Sequence, residues 1–381
     1  MRILISCGEP SGDLYAGALA SALRQRDPRV EIVGLGGERL EAAGGRLLGH
    51  YRGLSVTGLT EAVRFVPRSL AMLRRLVHSA REQRPDVAVP IDFPDFNFRL
   101  MAALHRLDIP VAYYVSPQLW AWRPRRMRRM QRHVARVLVI FPFEEEIYRR
   151  AGVPVQFVGH PLVDLTPAAA EPAEKAVQKQ ALGLTADAPT VALLPGSRRS
   201  ELMHIAPTLA AALPMLRAKV AGLQVVVAAA PHLGDDVFEP LLAAAGARPL
   251  LVRERTDAVL AAADVVVTAS GTATVQAALH RVPMVVVYRL SPVTYALGKP
   301  FLMVDTYAMP NLLAGRRIVP ELIQDGFTAE RVVEETASLL LDAARHAEMR
   351  AELGRVRETL GATGASARAA EAVLAVARRA R

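Results

Sequence analysis

The sequence predicts an α/β fold made of two doubly wound domains. Three observations carry that reading. At 381 residues the chain exceeds what one ordinary hydrophobic core organises. Short apolar runs alternate with helix-like stretches in both halves, the rhythm of a parallel sheet covered by helices. Between the halves the character changes over residues 166–188, where Pro167, Glu171, Pro172 and Glu174 sit among alanines without a strand signal. That stretch reads as a linker with a short helix, placing the domains at 1–165 and 166–349, with a helical tail beyond.

In the first domain, strands are expected at 3–7, 31–35, 87–91, 111–115, 137–141 and 155–158. Helical stretches lie between them, such as 15–26. The second domain repeats the alternation, with strands at 190–194, 224–229, 249–252, 265–268 and 284–288. The last fifty residues are rich in Ala, Arg, Glu and Leu and read as helices. No repeat of solenoid period is present.

Composition narrows the function. About half of the residues are apolar, 51%, which argues against disorder. Lys+Arg 47 against Asp+Glu 37 leaves a net charge of +10, which favours an anionic partner: nucleotide, phospholipid or nucleic acid. A single cysteine, Cys7, excludes an intrachain disulfide and fits a small core residue in a reducing compartment. The chain runs directly into strand-like residues without signal-peptide architecture, and no apolar run reaches membrane-spanning length. The expectation is a cytoplasmic protein with at most peripheral membrane contact. The nine histidines show no metal-ligand spacing, so no metal and no cofactor are expected.

Each chemically loaded motif follows an expected strand, where ligands of doubly wound sheets bind. Leu194-Pro195-Gly196-Ser197-Arg198 joins a strand to a helix; Gly196 permits the turn, Ser197 and the free amides can cradle an anion, and Arg198 supplies a donor fork suited to phosphate. A second such turn, Ser270-Gly271-Thr272-Ala273-Thr274, points with it to a phosphorylated ligand. Gly8-Glu9-Pro10-Ser11-Gly12-Asp13 is glycine-rich but lacks dinucleotide spacing and a P-loop lysine. Its acids would repel phosphate, so a sugar or acceptor hydroxyl suits it better, beside the plainer reading of an acidic helix start.

Asp92 and Asp95, in Ile91-Asp92-Phe93-Pro94-Asp95-Phe96-Asn97, are candidates for a general base. Asp95 equally fits a helix N-cap; Asp92, set among apolar neighbours, is the stronger catalytic candidate. Trp120 and Trp122 precede the basic cluster Arg123, Arg125, Arg126, Arg128, Arg129 and Arg132, which suits a sugar, an acyl chain, a lipid headgroup or a core tryptophan with a solvated helix behind it. Nucleic acid is not expected, since no aromatic-interleaved RNA-binding signature accompanies the charge. Residues 60–84 form a basic amphipathic stretch whose apolar residues Val63, Phe65, Val66, Met72 and Leu76 exceed one stripe, leaving core packing and a membrane-facing patch both open. His160, in Gly159-His160-Pro161, ends the sixth expected strand.

Taken together, these motifs and Pro310-Asn311-Leu312-Leu313 resemble, nearly end to end, the lipid-A-disaccharide synthase family of Gram-negative bacteria. The resemblance implies an inverting, metal-independent glycosyltransferase of GT-B architecture, two Rossmann-like domains facing a cleft. It implies transfer of 2,3-diacylglucosamine from UDP-2,3-diacylglucosamine to 2,3-diacylglucosamine 1-phosphate (lipid X), in lipid A biosynthesis at the cytoplasmic face of the inner membrane. Asp92 is then the base and Glu9 a second carboxylate. Gly196, Ser197, Arg198, Ser270, Gly271 and Thr272 hold UDP; Ser11, Asp95, Trp120, His160 and Asn311 are further cleft candidates; Val63 to Leu76 reach the acyl chains. The tail from about residue 350 is expected to return to the first domain. Where the family continues Leu-Glu after the second turn, this chain has Val275-Gln276, and Gln276 keeps a carbonyl acceptor but no charge at the position expected to meet ribose. Another UDP-sugar transferase or an epimerase would keep the fold without needing a diacylated sugar. Whether the protein is a monomer or a homodimer is not written in the sequence.

Overall fold

The computed structural model describes residues 1–52, 54, 59–119, 126–244, 246, 248–291, 295 and 306–379, and of 59–65 the backbone alone. Two compact units divide the chain. One holds Met1–Asp164 and Leu360–Arg381, the other Leu165–Pro300 and Val304–Thr359. The helix Ala343–Thr359 stays with the second unit, so the return expected from about residue 350 begins at Leu360.

The first unit is built on parallel strands. β1 (Arg2–Ser6), β2 (Glu31–Gly36), β3 (Arg46–His50) and β4 (Val87–Pro90) pair in the order β3-β2-β1-β4. β5 (Ala112–Tyr114), β6 (Arg136–Val139) and β7 (Val155–Phe157) follow in the order β5-β6-β7, joined to the first group by parallel bridges Ala88↔Val111 and Ile91↔Tyr114. In the second unit β8 (Thr190–Leu194), β9 (Gln224–Ala229), β10 (Leu250–Arg253), β11 (Val265–Ala269), β12 (Met284–Tyr288) and β13 (Glu321–Ile323) form one parallel sheet ordered β10-β9-β8-β11-β12-β13. β8 and β11 are buried along their whole length. That is why they read as continuous apolar runs rather than alternating ones.

This strand order positions the site. In each unit the chain winds outward from a central strand, β1 or β8, then returns on its other side with β4 or β11. The crevice beyond the carboxyl ends at that reversal is where such sheets receive ligands. The loops after these four strands carry Glu9, Asp92, Arg198 and Ser270.

β3 was not among the expected strands. Its residues are half-exposed, and its register with β2 slips at Gly34/Leu35. The last helix, Ala365–Arg379, buries Ala369, Ala370, Val373 and Ala377 and packs on helix Pro10–Arg26. Its start is fastened by the Asp164 carboxylate, which accepts from the amides of Gly364 (2.6 Å) and Ser366 (3.0 Å). Arg368 adds a bond from Nε to the Val158 carbonyl, 2.8 Å.

From Met72 onward the amphipathic helix Leu59–Gln83 turns apolar side chains inward. Leu76 and Ala80 are buried, and Met72, Leu73 and Val77 pack on the same core. Arg68, Arg74 and Arg81 are exposed, with Val66 at 46% exposure beside them. The broad apolar surface expected from Met72 and Leu76 is therefore core, because the sheet behind the helix needs covering. Val63 and Phe65 lie outside the residues with described side chains. Among the described residues, no helix is long and apolar enough to cross a membrane.

Candidate active site

In the first unit the loops after β1 and β4 are built against each other. Asp92 and Phe93 both adopt left-handed backbone, with φ 44° and 51°. This conformation costs an L-residue about 1–2 kcal/mol, and aspartate tolerates it better than phenylalanine. Four hydrogen bonds hold it. The Asp92 amide is 3.2 Å from each of the Tyr114 and Val115 carbonyls. Its carbonyl accepts from Asn97 Nδ2 and from the Tyr113 hydroxyl, both at 2.7 Å. Asn97 is fully buried, and its Oδ1 accepts from Ser6 Oγ at 2.8 Å, which ties the end of β1 to the same turn. Burial, and after it the Asp92 charge, pushes the Tyr113 hydroxyl well above its ordinary range. Tyr113 therefore stays protonated and serves as a donor.

Gly8 completes the contact. A Cβ there would lie 2.2 Å from the Phe93 ring, so only glycine lets the two loops close. Glu9 is the half-buried N-cap residue of helix Pro10–Arg26, and Ser11 lies half-buried in its first turn. The placement brings Glu9, Ser11 and Asp92 to one edge of one sheet. Asp13 is different: its buried carboxylate accepts from the amides of Gly37 (2.6 Å), Arg39 (2.9 Å) and Leu40 (3.2 Å), capping the next helix.

Two expectations here need correction. Asp95 is not the N-cap; Phe93 is, with Pro94 at the first helical position, and Asp95 stands exposed in an ion pair with Arg126 at 2.6 Å. His160, named above as a cleft candidate, is buried. Its ring is enclosed between Tyr15 and Phe141, its Nδ1 accepts from the Leu162 amide, and burial lowers its pKa to about 3, so it is neutral. Ser116 is likewise buried, hydrogen-bonded to the Tyr148 hydroxyl. Trp120 lies outside the described residues.

The second unit assembles the other group. Gly196, at φ 120°, makes the turn after β8, and a Cβ there would meet Glu201 at 2.6 Å. The Glu201 carboxylate, buried, accepts from the amides of Ser197 (3.1 Å) and Arg198 (3.3 Å) and from the Arg198 guanidinium (3.0 Å). The amides expected to cradle a phosphate are thus already held by an internal anion. Only the acidic arm of a capping box is present: Glu201 reaches back three residues to the amide of the N-cap Arg198. Arg198 keeps 37% of its side chain exposed.

The turn after β11 is open. Gly271 has φ 151°; among the described residues nothing lies within 4 Å of its Cβ position and no side chain caps the start of helix Thr272–Leu279. The helix start carries the positive end of the dipole, while the Thr274 amide (3.0 Å) and hydroxyl (2.7 Å) both donate to the Gly271 carbonyl. Ser270 Oγ donates to the Tyr307 carbonyl at 2.8 Å, which anchors the turn to the segment before helix Met309–Ala314. Asn311 does not offer a contact to ligand. Its Nδ2 donates to the Val319 carbonyl (2.9 Å) and Glu321 (2.7 Å), while its Oδ1 accepts from the amides of Ile318 (2.7 Å) and Val319 (2.9 Å). All four of its hydrogen-bonding positions are used internally.

Gln276 lies one turn into helix Thr272–Leu279, and its Nε2 donates to Asp257 Oδ1 at 2.7 Å. His280 Nε2 reaches the same oxygen at 2.9 Å. Burial pushes the Asp257 carboxyl up, but the bonds from His280 and Gln276 outweigh it and hold the pKa below the ordinary value. Asp257 was not singled out from the sequence, because nothing local marks a carboxylate whose partners lie 19 and 23 residues away.

With this geometry in place, the comparisons decide the family. The sequence profile described as Lipid-A-disaccharide synthetase matches residues 3–376. The chain belongs to the lipid-A-disaccharide synthase family. A lipid-A-disaccharide synthase of Myxococcus xanthus is 46% identical over 98% of this chain and 97% of its own length. One from Koribacter versatilis is 43% identical over 100% and 99%. Among solved structures, the UDP-GlcNAc 2-epimerase of Neisseria meningitidis bound to UDP-GlcNAc aligns with TM-score 0.67 at 13% identity, covering 98% of this chain and 100% of that one. The calicheamicin glycosyltransferase CalG4 aligns with TM-score 0.60 at 18% identity, covering 99% and 98%. At such identities these two speak for the fold, which is GT-B as expected. Family membership makes the chain a glycosyltransferase of lipid A biosynthesis that takes a sugar nucleotide and a lipid acceptor.

Proposed function

We propose that the protein transfers 2,3-diacylglucosamine from UDP-2,3-diacylglucosamine to the 6-hydroxyl of 2,3-diacylglucosamine 1-phosphate, with Asp92 as the base. The Asp92 carboxylate takes the hydroxyl proton as the acceptor oxygen attacks the anomeric carbon. The bond from that carbon to the diphosphate breaks, its electrons leave with UDP, and inversion gives the β-1′,6 linkage. Glu9, on the same sheet edge, orients the acceptor. Arg198 and the Ser270-Gly271-Thr272 turn meet the negative charge that builds on the leaving diphosphate. Gln276 accepts from a ribose hydroxyl.

The observation that carries this reading is the strained, four-bonded turn at Asp92, placed at the sheet reversal. Strain of this kind persists where a side chain must be aimed. The exposed arginines of helix Leu59–Gln83 support peripheral attachment to the anionic inner face of the inner membrane.

The test supplies both lipids in mixed micelles with EDTA and identifies the products. Acceptor-dependent UDP release with a β-1′,6 tetraacyl disaccharide 1-phosphate supports the reading. UDP-sugar epimerisation without the acceptor would contradict it.

A further inference from the structure

Residue 276 is a glutamine whose amide is not free to turn. An ionised carboxylate only accepts hydrogen bonds, so Asp257 Oδ1, 2.7 Å away, selects the Gln276 nitrogen. The same oxygen also receives His280 Nε2 at 2.9 Å, and the His280 ring is only 1% exposed, which fixes Asp257 from behind. The Gln276 carbonyl oxygen has no hydrogen-bond partner among the described residues, and the residue is half-buried rather than enclosed. Helix Thr272–Leu279 starts from the open turn after β11, and Asp257 sits in the first turn of helix Thr256–Ala262, which follows β10. Both therefore belong to the carboxyl side of the second sheet. A glutamate at 276 would put two carboxylates in contact, an arrangement that disfavours ionisation of both.

We propose that Asp257 is a positioning residue of the nucleotide subsite. By holding the Gln276 nitrogen, it presents the Gln276 carbonyl as a fixed acceptor for a ribose hydroxyl of a uridine nucleotide. Charge and acceptor, which one glutamate would combine, are split here between two side chains. This rests on the placement of Gln276 at the ribose given above.

The experiment measures binding of UDP, 2′-deoxy-UDP and 3′-deoxy-UDP to the full chain and to Asp257→Ala, Asp257→Asn, His280→Ala and Gln276→Ala, with thermal unfolding alongside. The wild type should prefer UDP over one deoxy analogue by about five- to tenfold, the worth of one hydrogen bond. Gln276→Ala and Asp257→Ala should both lose that preference. Asp257→Asn should keep most of it, since its carbonyl still accepts from the Gln276 nitrogen. His280→Ala removes the second bond to Asp257 but leaves its carboxylate, so it should weaken the preference less than Asp257→Ala does. Should Asp257→Ala not fold, Asp257→Leu takes its place with the same expectation. A preference lost in Gln276→Ala but retained without the Asp257 carboxylate would overturn the role of Asp257 and leave the ribose contact standing. A preference absent from the wild type, or intact in Gln276→Ala, would overturn the ribose contact and the role of Asp257 with it.

Discussion

Asn97 touches no solvent, yet its amide joins the end of β1 to the Asp92 carbonyl through bonds of 2.8 Å and 2.7 Å. Replacing it with alanine leaves the Ser6 hydroxyl and the Asp92 carbonyl short of a partner in the interior. The expected cost is about 2–3 kcal/mol in urea unfolding, together with a fall in kcat, because the turn that aims Asp92 loosens. Gly8→Ala should lower kcat and cost about 1–3 kcal/mol, since the Phe93 ring and its turn must move to admit the new methyl group. His160 gives a pH prediction. Its folded pKa, about 3, lies below the ordinary 6.5, so from pH 6.5 downward the unfolded chain takes a proton that the folded chain refuses. Stability should fall through that window by about 1.4 kcal/mol per pH unit from this residue, with no contribution above it. Urea unfolding of His160→Gln at pH 6.5 and 4.5 should show a shallower decline than the wild type; an equal decline would contradict the neutral, buried ring.

At the scale of elements, the last helix is the first unit's own cover, not an appendage. Ala365–Arg379 lies on helix Pro10–Arg26 and is anchored by Asp164 and Arg368. Asp164→Ala removes the cap of a helix start and should cost about 1–2 kcal/mol. Ending the chain at Thr359 should expose the apolar face beneath the helix and abolish cooperative unfolding of the first unit, as read by circular dichroism and calorimetry. For helix Leu59–Gln83 the inward apolar side leaves arginine to act on the outside. Exchanging Arg68, Arg74 and Arg81 for glutamate should weaken binding to anionic vesicles at low salt and leave binding to neutral vesicles unchanged, as cosedimentation would measure.

Across the whole molecule, much was legible because parallel strands buried on both faces leave continuous apolar runs. β8, β11 and β12 could be read directly, and so could the glycine-bearing turns that follow β1, β8 and β11. β3 and β13 were not legible; one is half-exposed with a slipped register, the other has three residues. Within the site, the sequence pointed to Asp92 and Arg198 but not to the side chains that hold them. Asn97, Tyr113, Glu201 and Asp257 act through partners set by tertiary contact, and Asn311 was misread because its amide is satisfied internally. The proposed reaction divides between the units, proton removal in the first and nucleotide binding in the second. Asp92→Asn tests that division most directly, with acceptor-dependent UDP release and UDP affinity measured on the same preparation. The account predicts turnover lowered by a factor of about a thousand or more with UDP affinity within about twofold of wild type. Near-normal turnover, or turnover and UDP affinity lost together, would contradict it.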